Sequence, residues 1–310
     1  MGEVSIEINI NDLRPEDISI EEIDLDLLTE TELEVLERKI ASKYMHVVPW
    51  GAIVWAFTNL AVWLSLWPLV FMDLIPLWLA FPIATLNVML SYLPSHEAQH
   101  SIIAREGRSL RWLNELVGHL SVIPLALPFR VLRHTHFEHH NHANDTELDP
   151  DYGVHAKSGW GFLFKSILGR QPGSDKSTFN AYPRTLERVG KSHLMIDSLA
   201  YNAIYYTLLF AAALSGYALE AALLWWLPKQ IAITYIQYYL SWAPHHPAKE
   251  KGRYKDTRGF KSKIGNVLSM GMQFHVIHHL YPRIPLGLTP AAFRELKPIL
   301  VKKGVDIGEL

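Results

Sequence analysis

Four long stretches of this chain carry almost no charge, and they constrain its fold more than any other feature. Val47 to Met72 is 26 residues without Asp, Glu, Lys or Arg, and Leu74 to Ser95 supplies 22 more after Asp73. Ser198 to Leu219 is a third such run, and Ala221 to Pro244 is a fourth, interrupted only by Lys229. A bilayer core about 30 Å thick is crossed by about 20 apolar residues rising about 1.5 Å each, so every run can cross once. A soluble helical protein with buried hairpins is the alternative, but soluble folds rarely contain runs of this length. The expected fold is an all-α membrane protein. Its spans lie at about 47–72, 74–95, 198–219 and 221–244, paired as two hairpins that turn around Trp67 to Pro76 and at Glu220.

Two short hairpins leave residues 1–46, 95–197 and 245–310 on one side of the membrane. Those segments hold 4, 12 and 12 Lys and Arg, which is 28 of the 29 in the chain. The positive-inside rule makes that side cytoplasmic, with both termini and a helical cap on it. The expectation is an integral multi-pass protein of the cytoplasmic membrane. Residues 1–46 form an acidic lead-in, with 13 acids against 4 bases, and 47–310 form the membrane domain. Within the lead-in, Val4, Ile6, Ile8 and Ile10 alternate like a short strand or extended arm. Thr29-Glu30-Thr31-Glu32 opens a capped helix to about Lys43, and the segment reads as solvated rather than as a partner-binding arm. Leu116 to Phe129 is apolar over only 14 residues and contains Pro124 and Pro128, so an interfacial or re-entrant segment is expected.

The composition excludes several functions. With no Cys there is no disulfide framework, thiolate zinc site, cysteine nucleophile or Cys-ligated iron–sulfur cluster. A net charge of -2 provides no broad basic surface for nucleic acid. Sixteen His remain to be explained, and they cluster. His96-Glu97-Ala98-Gln99-His100 follows the second span. His136-Phe137-Glu138-His139-His140 and His275-Val276-Ile277-His278-His279 follow later, all on the cytoplasmic side. Spacings of three and four put these imidazoles on one face of a helix. His245, at the cytoplasmic mouth of the fourth span and level with His96, is a ninth candidate; its neighbour His246 is the weaker of the two. One metal takes four to six ligands, so nine imidazoles imply two metals, and all-nitrogen ligation suits iron, zinc or copper. Glu97, Glu138, Asp149 and Asp151 are candidates to hold ring N–H groups, whereas Asp145 and Glu147 read as loop solvation. His119 reads as a packed neighbour of the site, and His134 and His142 break the spacing pattern. His46, His155 and His193 read as interfacial or surface residues.

Taken literally, His96-Glu97-x-x-His100 is also the signature of a zinc protease, with Glu97 as general base. An intramembrane metalloprotease would use one metal and leave both HxxHH clusters unexplained. A transporter or metal sensor fits poorly, because the clusters sit at one end of the spans and not at mid-bilayer.

The whole set, HxxxH, HxxHH and HxxHH around two membrane hairpins, resembles the membrane-bound fatty acid desaturase superfamily over roughly residues 50–300. The resemblance implies a non-haem centre of two iron ions (Fe2+) that uses O2 as co-substrate. Its ligands would be His96, His100, His136, His139, His140, His275, His278 and His279, with His245 at the end of the fourth span. Within the superfamily, Pro244-His245-His246-Pro247, Asn266-Val-Leu-Ser-Met-Gly271 and Phe274-His-Val-Ile-His-His-Leu-Tyr-Pro-Arg-Ile-Pro285 look most like the cyanobacterial-type β-carotene hydroxylases, and Asp149-Pro150-Asp151 also fits. Glu97 stands where those hydroxylases usually have Asp, and residues 1–46 match nothing there. The resemblance implies hydroxylation of a carotenoid-like lipid, with fatty acyl desaturation as the alternative. No catalytic residue beyond the ligands is required. Electrons must come from an external donor such as a ferredoxin, since the chain has no dinucleotide fingerprint or room for a haem domain. Lys249, Lys251, Arg253 and Lys255, with Arg258, Lys261 and Lys263, form a basic segment suited equally to that donor and to anionic membrane lipids.

Overall fold

A computed structural model describes residues 9–173 and 177–310. Val4, Ile6 and Ile8 of the expected arm lie outside the described residues. Every regular element among the described residues is helical.

The capping sequence opens α1 (Glu30–Ser42) as expected. The Thr29 hydroxyl accepts from the Glu32 amide at 3.3 Å, and the Glu32 carboxylate accepts from the Thr29 amide at 2.9 Å. The segment is not a solvated lead-in, however. Leu33, Leu36 and Ile40 share one face of α1, and all three are fully buried. Leu36 and Ile40 belong to a core with Phe293, Leu296 and Leu300 of the C-terminal helix. The acidic residues had masked this apolar stripe.

The first hairpin is α2 (Trp50–Phe71) and α3 (Leu77–Leu90), which runs on through Ser91 into α4 (Tyr92–Gln99). Asn59 and Asn87 join its arms reciprocally, each side-chain amide donating to the other's backbone carbonyl at 3.1 and 2.9 Å. Such bonds pin helices together where lipid offers no polar partner. Next come α5 (Arg111–Ser121) and α6 (Phe129–His142). The apolar stretch from Leu116 to Phe129 runs from the end of α5 into the start of α6, with one side packed inward. Val117, Val122, Leu125 and Phe129 are fully buried in the main core. Ser95 donates to the Gly118 carbonyl and Asn114 to the Ala98 carbonyl, both at 3.0 Å, which fixes α5 against α4. A Cβ on Gly118 would stand 2.2 Å from the Phe129 ring, so only glycine allows this approach.

After α7 (Gly159–Leu168) and α8 (Thr178–Arg188), α9 (Met195–Leu214) starts the second hairpin. It ends earlier than the charge pattern implied. The chain turns at Gly216, φ 90°, and Glu220 lies inside α10 (Ala218–Ala221). The left-handed glycine ends the helix; the charge does not. The fourth run continues as a π-helical turn (Ala222–Trp226), α11 (Leu227–Ile236) and a second π-helical segment (Gln237–Trp242). Pro228 has no N–H for the Leu224 carbonyl four residues back, and Trp63 Nε1 donates to that oxygen instead, at 3.1 Å. Among the described residues, three helices are long and apolar enough to cross a membrane: Trp50–Phe71, Leu77–Gln99 and Ser192–Leu214. The chain closes with α12 (Gly265–Leu268), α13 (His275–Leu280) and α14 (Thr289–Lys302), the helix that receives α1.

Candidate metal centre

Four pieces of chain bring the nine candidate histidines together. His96 and His100 lie at the end of α4, and His136, His139 and His140 on α6. His245 follows the second π-helical segment, and His275, His278 and His279 are on α13. Gly271, φ 77°, turns the backbone just ahead of α13 and so sets where the third cluster starts.

The nitrogens fall into two groups. His96, His100, His136 and His278 form one, and His139, His245, His275 and His279 the other; within each, one ring nitrogen per residue lies within 4.8 Å of all the rest. His140 belongs beside the first group, its Nε2 3.1 Å from His136 Nε2 and 3.0 Å from His278 Nε2. In the second, His139 Nε2 and His245 Nε2 are 3.1 Å apart. Imidazole–metal bonds are about 2.1 Å long, so two ligands at right angles stand about 3.0 Å apart. Ring nitrogens of His96, His100, His275 and His279 that point at no protein partner are fully buried. Orphaned, convergent nitrogens of this kind fit a bound metal.

The two groups differ in what stands behind them. In the second, Asp149 Oδ1 accepts from His139 Nδ1 at 2.9 Å, and the Asp256 carbonyl accepts from His245 Nδ1 at 2.8 Å. Met272 Sδ lies 3.0 Å from His275 Nδ1, and the Asp256 carboxylate 4.0 Å from His279 Nδ1. The contacts to His139, His245 and His275 fix a tautomer and leave Nε2 for a metal, whereas 4.0 Å is too long for a hydrogen bond to His279. Asn144 ties these braces together, its backbone amide donating to Asp149 Oδ2 at 3.0 Å and its side chain to the Asp256 carbonyl at 2.8 Å. No carboxylate stands behind the first group among the described residues. A cavity of about 400 Å³ reaches two of its members, His100 and His140.

Burial holds His136, His140, His245, His275, His278 and His279 well below the ordinary histidine value, in the neutral form that ligates. His139 goes the other way. Burial alone would lower it, but the carboxylates of Asp149, which bonds the ring, and of Asp151 and Asp256 together outweigh burial and push it up to about 9.

The remaining expectations divide. Asp149 backs a ring as expected. Glu97 does not: its Oε1 accepts from the Leu286 amide at 2.6 Å, bracing the loop after α13. That arrangement, with three clusters converging, does not match a one-metal protease. Asp151 accepts from Tyr182 and Ser241, Glu138 pairs with Arg188, and Asp145 pairs with Lys251, so none of these touches a candidate ligand ring. His155 is buried rather than at the surface, its ring 6.1 Å from that of His245. Asp256 and Met272 were missed. Neither stands at a ligand spacing, and Asp256 acts chiefly through its backbone, which no side-chain pattern encodes.

Comparison with known proteins agrees with this geometry. The family described as "Fatty acid desaturase" matches residues 73–309. The chain is 25% identical over 307 residues to a Delta(9) fatty acid conjugase-like enzyme of Dimorphotheca sinuata, covering 84% of this chain and 73% of that one. It is 24% identical over 256 residues to an sn-1 acyl-lipid omega-3 desaturase (ferredoxin) of Nostoc sp., covering 72% and 69%. A shorter match, 36% identical over 62 residues, is to a zeaxanthin 4-ketolase of Chlamydomonas reinhardtii, covering 20% and 13%. Matches to three plant relatives span 58% to 73% of the relative's own length. With the family matched over well more than half of its length, the chain belongs to the fatty acid desaturase family of O2-dependent oxidoreductases.

Proposed function

We propose that the protein is a membrane-embedded di-iron enzyme that oxidises C–H bonds of an apolar lipid. The observation that carries this reading is the pair of histidine groups at ligand spacing. His96, His100, His136, His140 and His278 would hold one Fe2+, and His139, His245, His275 and His279 the other. Bound there, the irons supply the O2 chemistry that takes hydrogen from an unactivated carbon. The chain's own residues position and insulate. Asp149 and the Asp256 carbonyl hold the Nδ1–H of His139 and His245, and the buried core around α4, α5 and α6 keeps water out.

Hydroxylation of a carotenoid-like substrate is the chemistry we favour. The Phe274 to Pro285 stretch and the short match to the algal ketolase support it. Acyl desaturation is the second reading, supported by the alignments that cover most of the chain. A ferredoxin-type donor is favoured by the name of the Nostoc relative. Much of the basic segment is engaged internally: Lys251 by Asp145, Arg253 by Glu37, Lys255 by the Gly304 carbonyl and Arg258 by that of Ala243. Lys249, Lys261 and Lys263 remain exposed to meet the donor or lipid headgroups. In our reading the fourth run also crosses the membrane, π-helical turns included, which puts the centre on the cytoplasmic face.

Metal analysis of purified protein, reconstituted without oxygen, should find two irons per chain, one for each group; a single zinc and no iron would refute the centre. Expression in cells that make β-carotene, with pigments and acyl chains profiled together, separates the substrates. Oxygenated rings with unchanged acyl chains are expected, and new acyl double bonds with untouched pigment would select the second reading. A reporter fused after residue 70 should face outside, and one after residue 150 the cytoplasm.

A further inference from the structure

Between Asp256 and Glu295 the chain carries no acid. Early in this stretch Lys261 and Lys263 are exposed, with no partner among the described residues. Beside them Ile264, Val267 and Leu268 are 44%, 76% and 40% exposed. Spacings of three and four put these three side chains on one face of the short helix α12, while Ser269 and Met270 turn inward and are buried.

The segment is tied down on both sides. The Ser262 amide donates to the Gln273 side chain at 2.6 Å, the Phe260 amide to the Gln273 carbonyl at 3.3 Å, and the Gly271 amide to the Asn266 carbonyl at 2.8 Å. Gln273 comes two residues before His275, so the exposed face is built into the approach to the third histidine cluster. On the other side the Phe260 ring stacks on Tyr239 with centroids 6.3 Å apart, and the Arg258 amide donates to the Pro244 carbonyl at 2.9 Å. Tyr239 stands five residues before Pro244, where the fourth apolar run ends. Residues 260–268 therefore start beside the mouth of that run.

We propose that residues 261–268 are an in-plane anchor in the cytoplasmic leaflet, with Ile264, Val267 and Leu268 sunk below the headgroups and Lys261 and Lys263 on anionic phospholipid. One exposed Val is ordinary, but an apolar face flanked by unpaired cations in an acid-free stretch is the pattern of an interfacial segment. Lysines snorkel to headgroups from such a face, and anionic ones hold them best. An acidic electron carrier would satisfy the lysines and leave the apolar face uncovered; a leaflet satisfies both. The inference rests on the reading that the fourth run crosses the membrane and ends at its cytoplasmic surface, and not on the metals.

The chain has no Cys, so a single introduced thiol carries a bimane probe alone. The test places it by Val267→Cys, and independently by Ile264→Cys, in the full-length protein in phosphatidylcholine nanodiscs. Nitroxide-labelled phospholipid should quench it and aqueous iodide should not, the reverse of a probe at Glu21→Cys on the exposed N-terminal segment. Labelled phosphatidylglycerol should act at about one fifth of the concentration that labelled phosphatidylcholine needs, the scale of one lysine at a headgroup. Lys261→Gln with Lys263→Gln should make the two lipids equal. A probe at Ile231→Cys, half-way along the fourth run and 37% exposed, reports that run separately. Lipid quenching there but at neither α12 position overturns the anchor alone, and quenching at none of the three overturns the span with it. Equal response to both lipids before the lysines are changed would also overturn the proposal. So would shielding from iodide that appears only when an acidic ferredoxin is added, which would assign the face to the donor.

Discussion

The two histidine groups sit side by side, yet they are built by different means. The first gathers five nitrogens and has no carboxylate behind it among the described residues. The second has four, three of them hydrogen-bonded from behind. A surplus of ligands tolerates loose rings, because four remain if one swings away. A group with none to spare needs its rings held from behind. The second group is therefore the more fragile to change at a distance, and the first the more tolerant.

The sharpest way to break this comparison is to remove one ring from each. His139→Ala should take the second group to three ligands, halve the iron content and lower turnover by more than about 100-fold, beyond the usual effect of losing a supporting residue. His140→Ala should leave four nitrogens in the first group and keep most of its iron. Equal loss from both variants would mean that the two groups act as one. Asp149→Asn should weaken iron at the second group alone by about 10- to 100-fold, read by anaerobic titration. Uniform weakening at both would deny the distinction.

The pH dependence sharpens it further. In metal-free protein His139 has been pushed up to about 9, above the ordinary value of about 6.5. Its ion pair with Asp149 therefore contributes stability that is fully present below about 6.5 and is lost as the pH climbs through about 9. A metal must displace that proton, so affinity at the second group should rise by up to about tenfold per pH unit up to about 9. The other ligands named above are already neutral, so the first group should stay flat over that range, and Asp149→Asn should flatten the second. A rise at both groups would show that His139 is not its source.

The smallest effect concerns α1. Glu37, 1% exposed, accepts from Tyr281 Oη at 2.6 Å and Tyr254 Oη at 3.0 Å. Tyr281 comes two residues after the third histidine cluster. Glu37→Ala should lower stability by about 1–3 kcal/mol by stranding those hydroxyls, measured by thermal melting, while iron content holds. Iron lost from the second group alone would show that its bracing extends as far as α1.

Much of the centre was legible because ligand spacing on a helix is a local property. His96 and His100, or His136 and His139, announce themselves within five residues. What splits nine rings into five and four is tertiary: His139 and His140 are neighbours in sequence and go to different groups, which no spacing predicts. Three of the four expected spans were legible from charge. Their exact ends were not, since Gly216 and not Glu220 makes the turn, and hydropathy is blind to a switch from α- to π-helical bonding in 222–242. Glu37 was hidden in an acidic helix whose buried stripe carries only a few apolar residues.

The clasp between Glu37 and Tyr281 also orders events during synthesis. Glu37 is made before any membrane span, and its partners Tyr254 and Tyr281 come after all of them. A chain emerging from its N-terminus must insert every span before this buried carboxylate meets the hydroxyls it needs. The third histidine cluster lies in the last 36 residues, behind the same wait. The proposed metal centre would thus be completed late in biogenesis, and a chain cut short before residue 275 would leave α1 without its dock and the centre without three of its candidate ligands.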